Sequence, residues 1–455
     1  MRRTRALLTL LAGVATSTGC ASPSSDTNTD GIDAVSSRTS LGGGSGAVDA
    51  EPPEVSQPLT VAVCVRLALS RAPDLAAFEA RVEGARARVE IEETWPNPVL
   101  GAHAIDIGDA ERFLAQVQVT HPVFFAWTRS LSRKVARAAL DGARLDVDEE
   151  QRLIAAAVGE AFYDALAAEE LVDAEHDAVR MAADLCKILS QRAALGDASL
   201  LDEERATAEE LEARRIADMA LERREITRIL LAQLIGAKRP EALRFVRDWP
   251  SLEPSLIDPS PAAGEGELKR GKRLDDLVAE AVDRRSDARR ARTRVEEAEL
   301  TQDLEERRAL PLADVQATIG LRSGEPGNTG LLGFTVPLPF FDSNQGGRRR
   351  AAADLLGASA EVGRVIRRIE AEVSTAYLAC QRANRRLHGL AIPVSESRRR
   401  ATELAQRLFD GGELGPTDLV LIERDAVGAN RAVVTARREL AGARWRLLVA
   451  CGARW

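Results

Sequence analysis

The chain repeats itself, and that repetition constrains its fold more than any other feature. Ala68-Leu69-Ser70-Arg71-Ala72-Pro73-Asp74, followed by Arg81-Val82-Glu83, recurs as Ala281-Val282-Asp283-Arg284-Arg285-Ser286-Asp287, followed by Arg294-Val295-Glu296. Val119-Thr120-His121-Pro122-Val123-Phe124-Phe125 is echoed by Val336-Pro337-Leu338-Pro339-Phe340-Phe341. Gly196-Asp197-Ala198-Ser199-Leu200-Leu201-Asp202 returns as Gly412-Glu413-Leu414-Gly415-Pro416-Thr417-Asp418. Three landmarks keep their order at a spacing of just over two hundred residues, so the fold has to be built from two copies of one unit.

Each copy has the same grammar: a helical stretch (60–95, then 274–308), a pair of alternating segments, a very long helical stretch, a Gly-containing turn and a last helix. The repeats span 58–248 and 274–455, joined by a Pro/Gly/Ser-rich connector at 249–273. Ala, Leu, Arg and Glu dominate and only 4% of residues are aromatic, which favours long helices packed through small side chains. One stripe runs Val362, Ile366, Ile369, Val373, Ala376, Cys380, Ala383, Leu387, Leu390; a second runs Leu419, Ile422, Ala426, Ala429, Val433, Ala436, Leu440, Ala443, Leu447. A weaker one follows Ile154, Val158, Ala161, Ala165, Ala168 and Val172. Steps of four and three keep an apolar seam facing a partner helix and impose a left-handed supercoil. The pattern from Arg129 to Leu195 predicts a helix on the order of 100 Å long at 1.5 Å per residue, and Pro393 predicts a kink in its counterpart. A soluble bundle of coiled coils accounts for these stripes equally well.

The alternating segments separate the two. Phe113, Ala115, Val117 and Val119 alternate with Leu114, Gln116, Gln118 and Thr120; Ala313, Val315, Ala317, Ile319 and Leu321 alternate with Asp314, Gln316, Thr318, Gly320 and Arg322. Leu332, Phe334, Val336 and Leu338 alternate with Gly333, Thr335 and Pro337. Period two describes strands with one apolar and one mostly polar face, expected at 98–108, 112–121, 312–322 and 330–339. Their length, about ten residues, suits a tilted membrane-spanning strand with lipid outside and water inside. Four strands cannot close around water, and open edges are not tolerated in lipid, so several copies must complete a barrel. Gln116, Gln118, Thr120, Asp314, Gln316 and Thr318 are then the candidate lumen residues.

The N-terminus reads as an export leader: Arg2, Arg3 and Arg5 precede a short apolar run from Ala6 to Ala15, too short to span a bilayer as a helix. Ser17-Thr18-Gly19-Cys20-Ala21-Ser22 resembles a bacterial lipobox, which makes residues 1–20 a lipoprotein-type signal and Cys20 the candidate lipidated residue. Residues 21–57 are Ser, Thr, Gly, Asp and Pro, a composition that cannot bury enough apolar surface to order itself and reads as a disordered tether.

Taken in order and in duplicate, these features resemble the TolC-like outer-membrane efflux proteins across about 58–452. The carrying residues are Arg71-Ala72-Pro73-Asp74, Trp95-Pro96-Asn97-Pro98 before the first strand, and the turns Gly196/Asp202 and Gly412/Asp418. Val336-Pro337-Leu338-Pro339-Phe340-Phe341-Asp342-Ser343-Asn344-Gln345-Gly346 looks like the outer-membrane subunits of cation-efflux systems. The resemblance implies an α+β, mainly α fold: a homotrimer with one transmembrane β-barrel, four strands per subunit, continued by a periplasmic α-helical coiled-coil barrel. It implies a passive, non-enzymatic exit duct for small toxic compounds or metal cations, working with a periplasmic adaptor protein and an inner-membrane pump. By that resemblance Asp418 narrows the channel entrance, with Asp202 its first-half equivalent. Gly196, Ser199, Leu200, Gly412, Gly415 and Thr417 form the tips that contact the adaptor. Both aspartates also suit a helix N-terminus, and Leu414 stands where the family can place a basic residue, so a salt-bridge lock is not expected. Alternatives are the duct of a type I protein-secretion system and a lipid-anchored periplasmic scaffold without a pore.

The remaining chemistry is sparse. The net charge of −8 argues against a nucleic-acid partner. His103, His121, His176 and His388 are isolated, and the five cysteines show no metal or redox spacing, so no cofactor or metal site is expected. Cys380, on an apolar stripe, reads as a small core residue. No Ser/His/Asp, paired-carboxylate or phosphate-loop constellation suggests an enzyme.

Overall fold

Thr60 starts the first helix by accepting a hydrogen bond from the Val63 amide at 3.3 Å. The computed structural model describes residues 58–105, 114–123, 126–196, 198–246, 249, 273–309, 313–322, 328–335 and 340–453. Helix α1 (Val61–Arg71) stops at extended Ala72, because a residue before proline is pushed out of the helical region, and Pro73 then opens α2 (Pro73–Glu93). Strands β1 (Val99–Ile105) and β2 (Leu114–Val123) follow. Helix α3 (Ala126–Leu195) runs 70 residues without interruption, about 105 Å at 1.5 Å per residue. Ser199 caps α4 (Leu200–Ile235), which ends on Gly236 at φ 65°.

The second repeat has the same order: α5 (Leu274–Arg284), α6 (Ser286–Arg308), β3 (Ala313–Arg322), β4 (Asn328–Thr335), α7 (Gln345–Arg386), α8 (Ile392–Asp410) and α9 (Pro416–Ala450). It departs from the first at one place. Between α7 and α8 lies a π-turn, Leu387–Ala391, immediately before Pro393. Pro393 has no amide hydrogen and its ring crowds the carbonyl four residues back, so the chain widens there.

That turn corrects one sequence expectation. Ile369, Val373, Ala376, Cys380, Ala383 and Leu387 are all buried, as their seven-residue period predicts, but Leu390 is 60% exposed. Leu390 lies within the π-turn, whose extra residue shifts the phase of the stripe so that Ala391 and Ile392 pack against the core in its place. Leu419, Ala429, Val433, Ala436, Leu440, Ala443 and Leu447 are buried along α9, and Val158, Ala165, Ala168 and Val172 along α3.

Both α3 and α9 bury more than one stripe. One core gathers α5, α6, α7 and one face of α9; another gathers α1, α3, α4 and the other face of α9 through Ala441, Trp445 and Val449. Helix α9 is thus the shared wall between the repeats. Trp445 is 1% exposed, its indole donates to the Ala155 carbonyl at 3.1 Å, and it fills the space that Gly159 leaves open.

Charged pairs set the register of that wall. Along α3 the carboxylates of Glu160, Asp164, Glu170 and Glu175 meet arginines of α9: Arg446 and Arg438, Arg438, Arg437, and Arg431 respectively. Acids lie on one helix, guanidinium groups on the other, and the order runs antiparallel. Where α5 meets α6, Arg285 is fully buried and binds both oxygens of Asp287 at 3.0 and 2.8 Å and Glu372 at 2.6 Å, while Arg368 reaches Asp287 at 2.8 Å. This network occupies the helix junction that Pro73 marks in the first repeat.

The four strands form one antiparallel sheet in the order β1-β2-β3-β4. The repeats therefore join at β2 and β3, leaving β1 and β4 as edges. Strand β2 extends two residues beyond its expected end, through the pairs Pro122↔Asp314 and Val123↔Ala313. Among the described residues no helix is long and apolar enough to cross a membrane.

Candidate functional site

The sheet sorts its residues by face. Directly paired positions lie on the same side, and successive positions alternate. Gln118↔Thr318 and Thr120↔Gln316, with Asp314 and Gln116 two positions further along their own strands, put all six predicted lumen positions on one face. Gly101, Gly333 and Thr335 join them through β1 and β4. The opposite face collects Leu100, Ala102, Ala115, Val117, Val119, Ala313, Val315, Ala317, Ile319, Leu321, Leu332 and Phe334. Val117 and Val119 are 45% and 42% exposed, whereas Gln118 and Thr120 are half-buried. Val99, Ile105, Leu114 and Leu331 share the first face and His121 the second, but a sheet with most polar positions of both repeats on one side and most apolar ones on the other suits water on one side and lipid on the other.

At the far end of the long helices the two turns come together. Gly196 and Gly412 adopt φ 82° and 78°, conformations glycine takes without a steric penalty. The Ser199 hydroxyl accepts from the Asp202 amide at 3.1 Å and donates to the Asp202 carboxylate at 2.7 Å. Thr417, from the other repeat, donates to the same carboxylate at 3.2 Å and accepts from Arg205 at 3.4 Å. The Ser199 hydrogen bond, followed by that of Thr417, holds Asp202 below the usual carboxylate range. Asp418 is different: it is exposed in the first turn of α9. Asp202 therefore closes a cap and joins the two turns, while Asp418 presents charge to solvent. Leu414 packs with Ala198 against a small core of Leu185, Leu189, Ala206, Ala405, Phe409 and Leu419. Leu200 and Gly415 are exposed beside these groups. Cys20 lies outside the described residues.

Between the turns and the ion-pair ladder sits a residue that periodicity did not mark. Glu423 of α9 lies between two cavities of about 380 and 760 Å³. Val420, Val427, Met181 and Leu185 line the first cavity with it. Burial raises its carboxyl to about 7. Because the folded value exceeds the ordinary 4.3 or so of a glutamate, its contribution is most favourable at low pH and is lost as pH rises through about 7. Glu423→Gln removes that loss. The melting temperature of the variant relative to wild type is expected to rise between about pH 4.5 and 7 and to level off above, measured by circular dichroism across that range. Burial of Glu423 depends on the approach of α3 and α4, which its neighbours in sequence do not report.

The chain belongs to the outer membrane efflux protein family, whose model matches residues 64–237 and 277–453, one segment in each repeat. It is 26% identical over 312 residues to the cobalt-zinc-cadmium resistance protein CzcC of Cupriavidus metallidurans, covering 67% of this chain and 68% of that protein. The outer membrane protein VceC of Vibrio cholerae superposes with a TM-score of 0.68 at 17% identity, covering 87% of this chain and 96% of that one. The structure of CusC superposes with a TM-score of 0.69 at 13% identity, covering 86% and 92%. At such identities the two structures share the fold.

Proposed function

We propose that the protein is the passive exit duct of a tripartite efflux system, in which three copies close a twelve-stranded barrel and continue it as a helical tunnel through the periplasm. Energy comes from an inner-membrane pump, reached through a periplasmic adaptor that meets the turns at Gly196, Ser199, Leu200, Gly412, Gly415 and Thr417. The observation that carries this reading is the sheet register, which aligns polar positions of both repeats on one face and leaves β1 and β4 as edges. Open edges in lipid demand partners, and β4 of one copy supplies one for β1 of the next. Metal cations are the proposed cargo class, on the strength of the relative named for cobalt, zinc and cadmium resistance. Cys20 anchors the mature chain by lipid, and residues 21–57 act as its tether.

Threefold symmetry turns the exposed Asp418 into a ring of three carboxylates, an arrangement that selects cations. Single-channel recording of the purified protein in a planar bilayer tests this. Wild type is expected to conduct in discrete steps and prefer cations, and Asp418→Ala to reduce that preference on the order of tenfold with the steps retained. Absence of both conductance and stable trimers would overturn the duct. Unchanged selectivity in the variant would leave Asp418 only its place in the helix's first turn.

A further inference from the structure

Where the helices meet the sheet, a cavity of about 730 Å³ opens between the end of α2 and the start of α3. Its walls include Glu90, Ile91, Trp95, Pro96, Arg129 and Arg308. Ile91 and Trp95 are 62% and 57% exposed, two large apolar groups open to the cavity. The Trp95 ring lies 6.2 Å from the ring of His121. His121 stands in β2 on the side of Val119 and Val123, the apolar face of the sheet. Trp95 therefore sits at the lower rim of the surface that faces lipid, at the depth where an indole is favoured.

The polar groups of the cavity carry both signs. The Arg129 guanidinium stacks on Trp95 at 3.9 Å and donates to the Glu93 carbonyl. A guanidinium has five N–H donors in a planar fork, more than that one carbonyl uses, and suits phosphate. Arg308 closes the other side while bonded to Glu305 at 2.6 Å. Glu90 is exposed on the same wall, and Glu92 is paired with Arg88 at 2.9 Å. A guanidinium on each side, a carboxylate on the wall between them and an apolar floor match a headgroup with one phosphate and one ammonium above an acyl chain.

We propose that this cavity is a binding site for a zwitterionic glycerophospholipid, of the phosphatidylethanolamine type, in the periplasmic leaflet. Arg129 and Arg308 hold the phosphate, Glu90 faces the ammonium, and Ile91, Trp95 and Pro96 take the start of an acyl chain. The site rests on the outer-membrane reading of the sheet, since it needs the apolar face in lipid. Bound lipid at this level fixes the depth at which the barrel gives way to helices.

Native mass spectrometry of the detergent-purified full chain, titrated with phosphatidylethanolamine or phosphatidylglycerol, tests the proposal. Wild type is expected to retain phosphatidylethanolamine in preference to phosphatidylglycerol, and Arg129→Gln to lower its affinity roughly tenfold or more. Ile91→Glu alters only an exposed position, so it is expected to fold and to lose the lipid by placing a charge where the acyl chain begins. Equal retention by wild type and both variants, or equal retention of the two lipids, would overturn the site. Insertion of the same preparations into vesicles is scored separately by heat-modifiable migration on gels. Failure to insert in every variant including wild type would instead remove the outer-membrane reading, and the site with it.

Discussion

Gly159→Ala is expected to lower the melting temperature of the assembled protein sharply, although alanine is the better helix former. The substitution offers about 1 kcal/mol of helix propensity in its favour. Against this, a Cβ at position 159 would lie 1.9 Å from the Trp445 indole nitrogen, and that ring is 1% exposed with its N–H committed to Ala155. Overpacking of a fixed aromatic costs about 1–3 kcal/mol and more where nothing can yield, so the clash wins. Trp445→Ala is expected to cost about 3–5 kcal/mol by leaving a cavity between α3 and α9. The double variant separates the effects: with the indole gone, alanine at 159 is expected to cost nothing further. Melting followed by near-ultraviolet circular dichroism reads all three, and additive losses would show that the two residues do not oppose each other.

The second large effect is expected at Arg285. Removing its guanidinium takes the strongest partner from the buried Asp287 and leaves it Arg368, the Ala288 amide and the more distant charge of Arg152, a loss of about 3–5 kcal/mol for a broken buried pair. The pH dependence gives a signature. Burial by itself raises Asp287, but the hydrogen bonds and charge of Arg285, followed by Arg368, outweigh it and hold the carboxyl below the usual range. A depressed value means the stabilisation is complete above the unfolded pKa of about 3.9 and is lost as pH falls through the folded one. The gap in melting temperature between wild type and Arg285→Ala should therefore be widest near neutrality and narrow toward pH 3 or so. Arg285→Met with Asp287→Leu is expected to recover much of the loss, since neither charge remains buried alone. A gap independent of pH would assign the role of Arg285 to packing.

Much of this fold could be read before any coordinates. Val373, Cys380 and Ala383 are buried where a seven-residue period places them, because one face of α7 meets a single core shared with α5, α6 and α9. The alternation in β2 and β3 likewise anticipates which positions share a face, since period two is intrinsic to a strand. The signal fails where a second neighbour enters. Phe162, Tyr163 and Leu166 lie off the α3 stripe yet are buried, because α3 packs on more than one side. Leu390 keeps the period in sequence and loses it in space, since the π-turn before Pro393 changes the phase. At the turns, the glycines are local chemistry and were legible; the Ser199 cap is equally local, but in sequence Ser199 reads only as a tip residue. The link from Thr417 to Asp202, 215 residues apart, was not, and neither was the burial of Glu423. Those depend on how the repeats approach, which no stretch of one helix encodes.

The two unpaired strand edges also shape how such a protein is made. A single copy carries β1 and β4 with backbone groups unsatisfied on their outer sides, so lipid rejects it as a lone chain. If three copies close the barrel as proposed, entry into the membrane is a collective step whose rate climbs steeply with the local density of newly exported chains. Below a threshold density copies wait outside the bilayer, exposed to proteases and to wrong edge-to-edge encounters. Holding newly arrived chains at one surface raises that density, and synthesis in bursts favours completed assemblies over the same quantity delivered slowly.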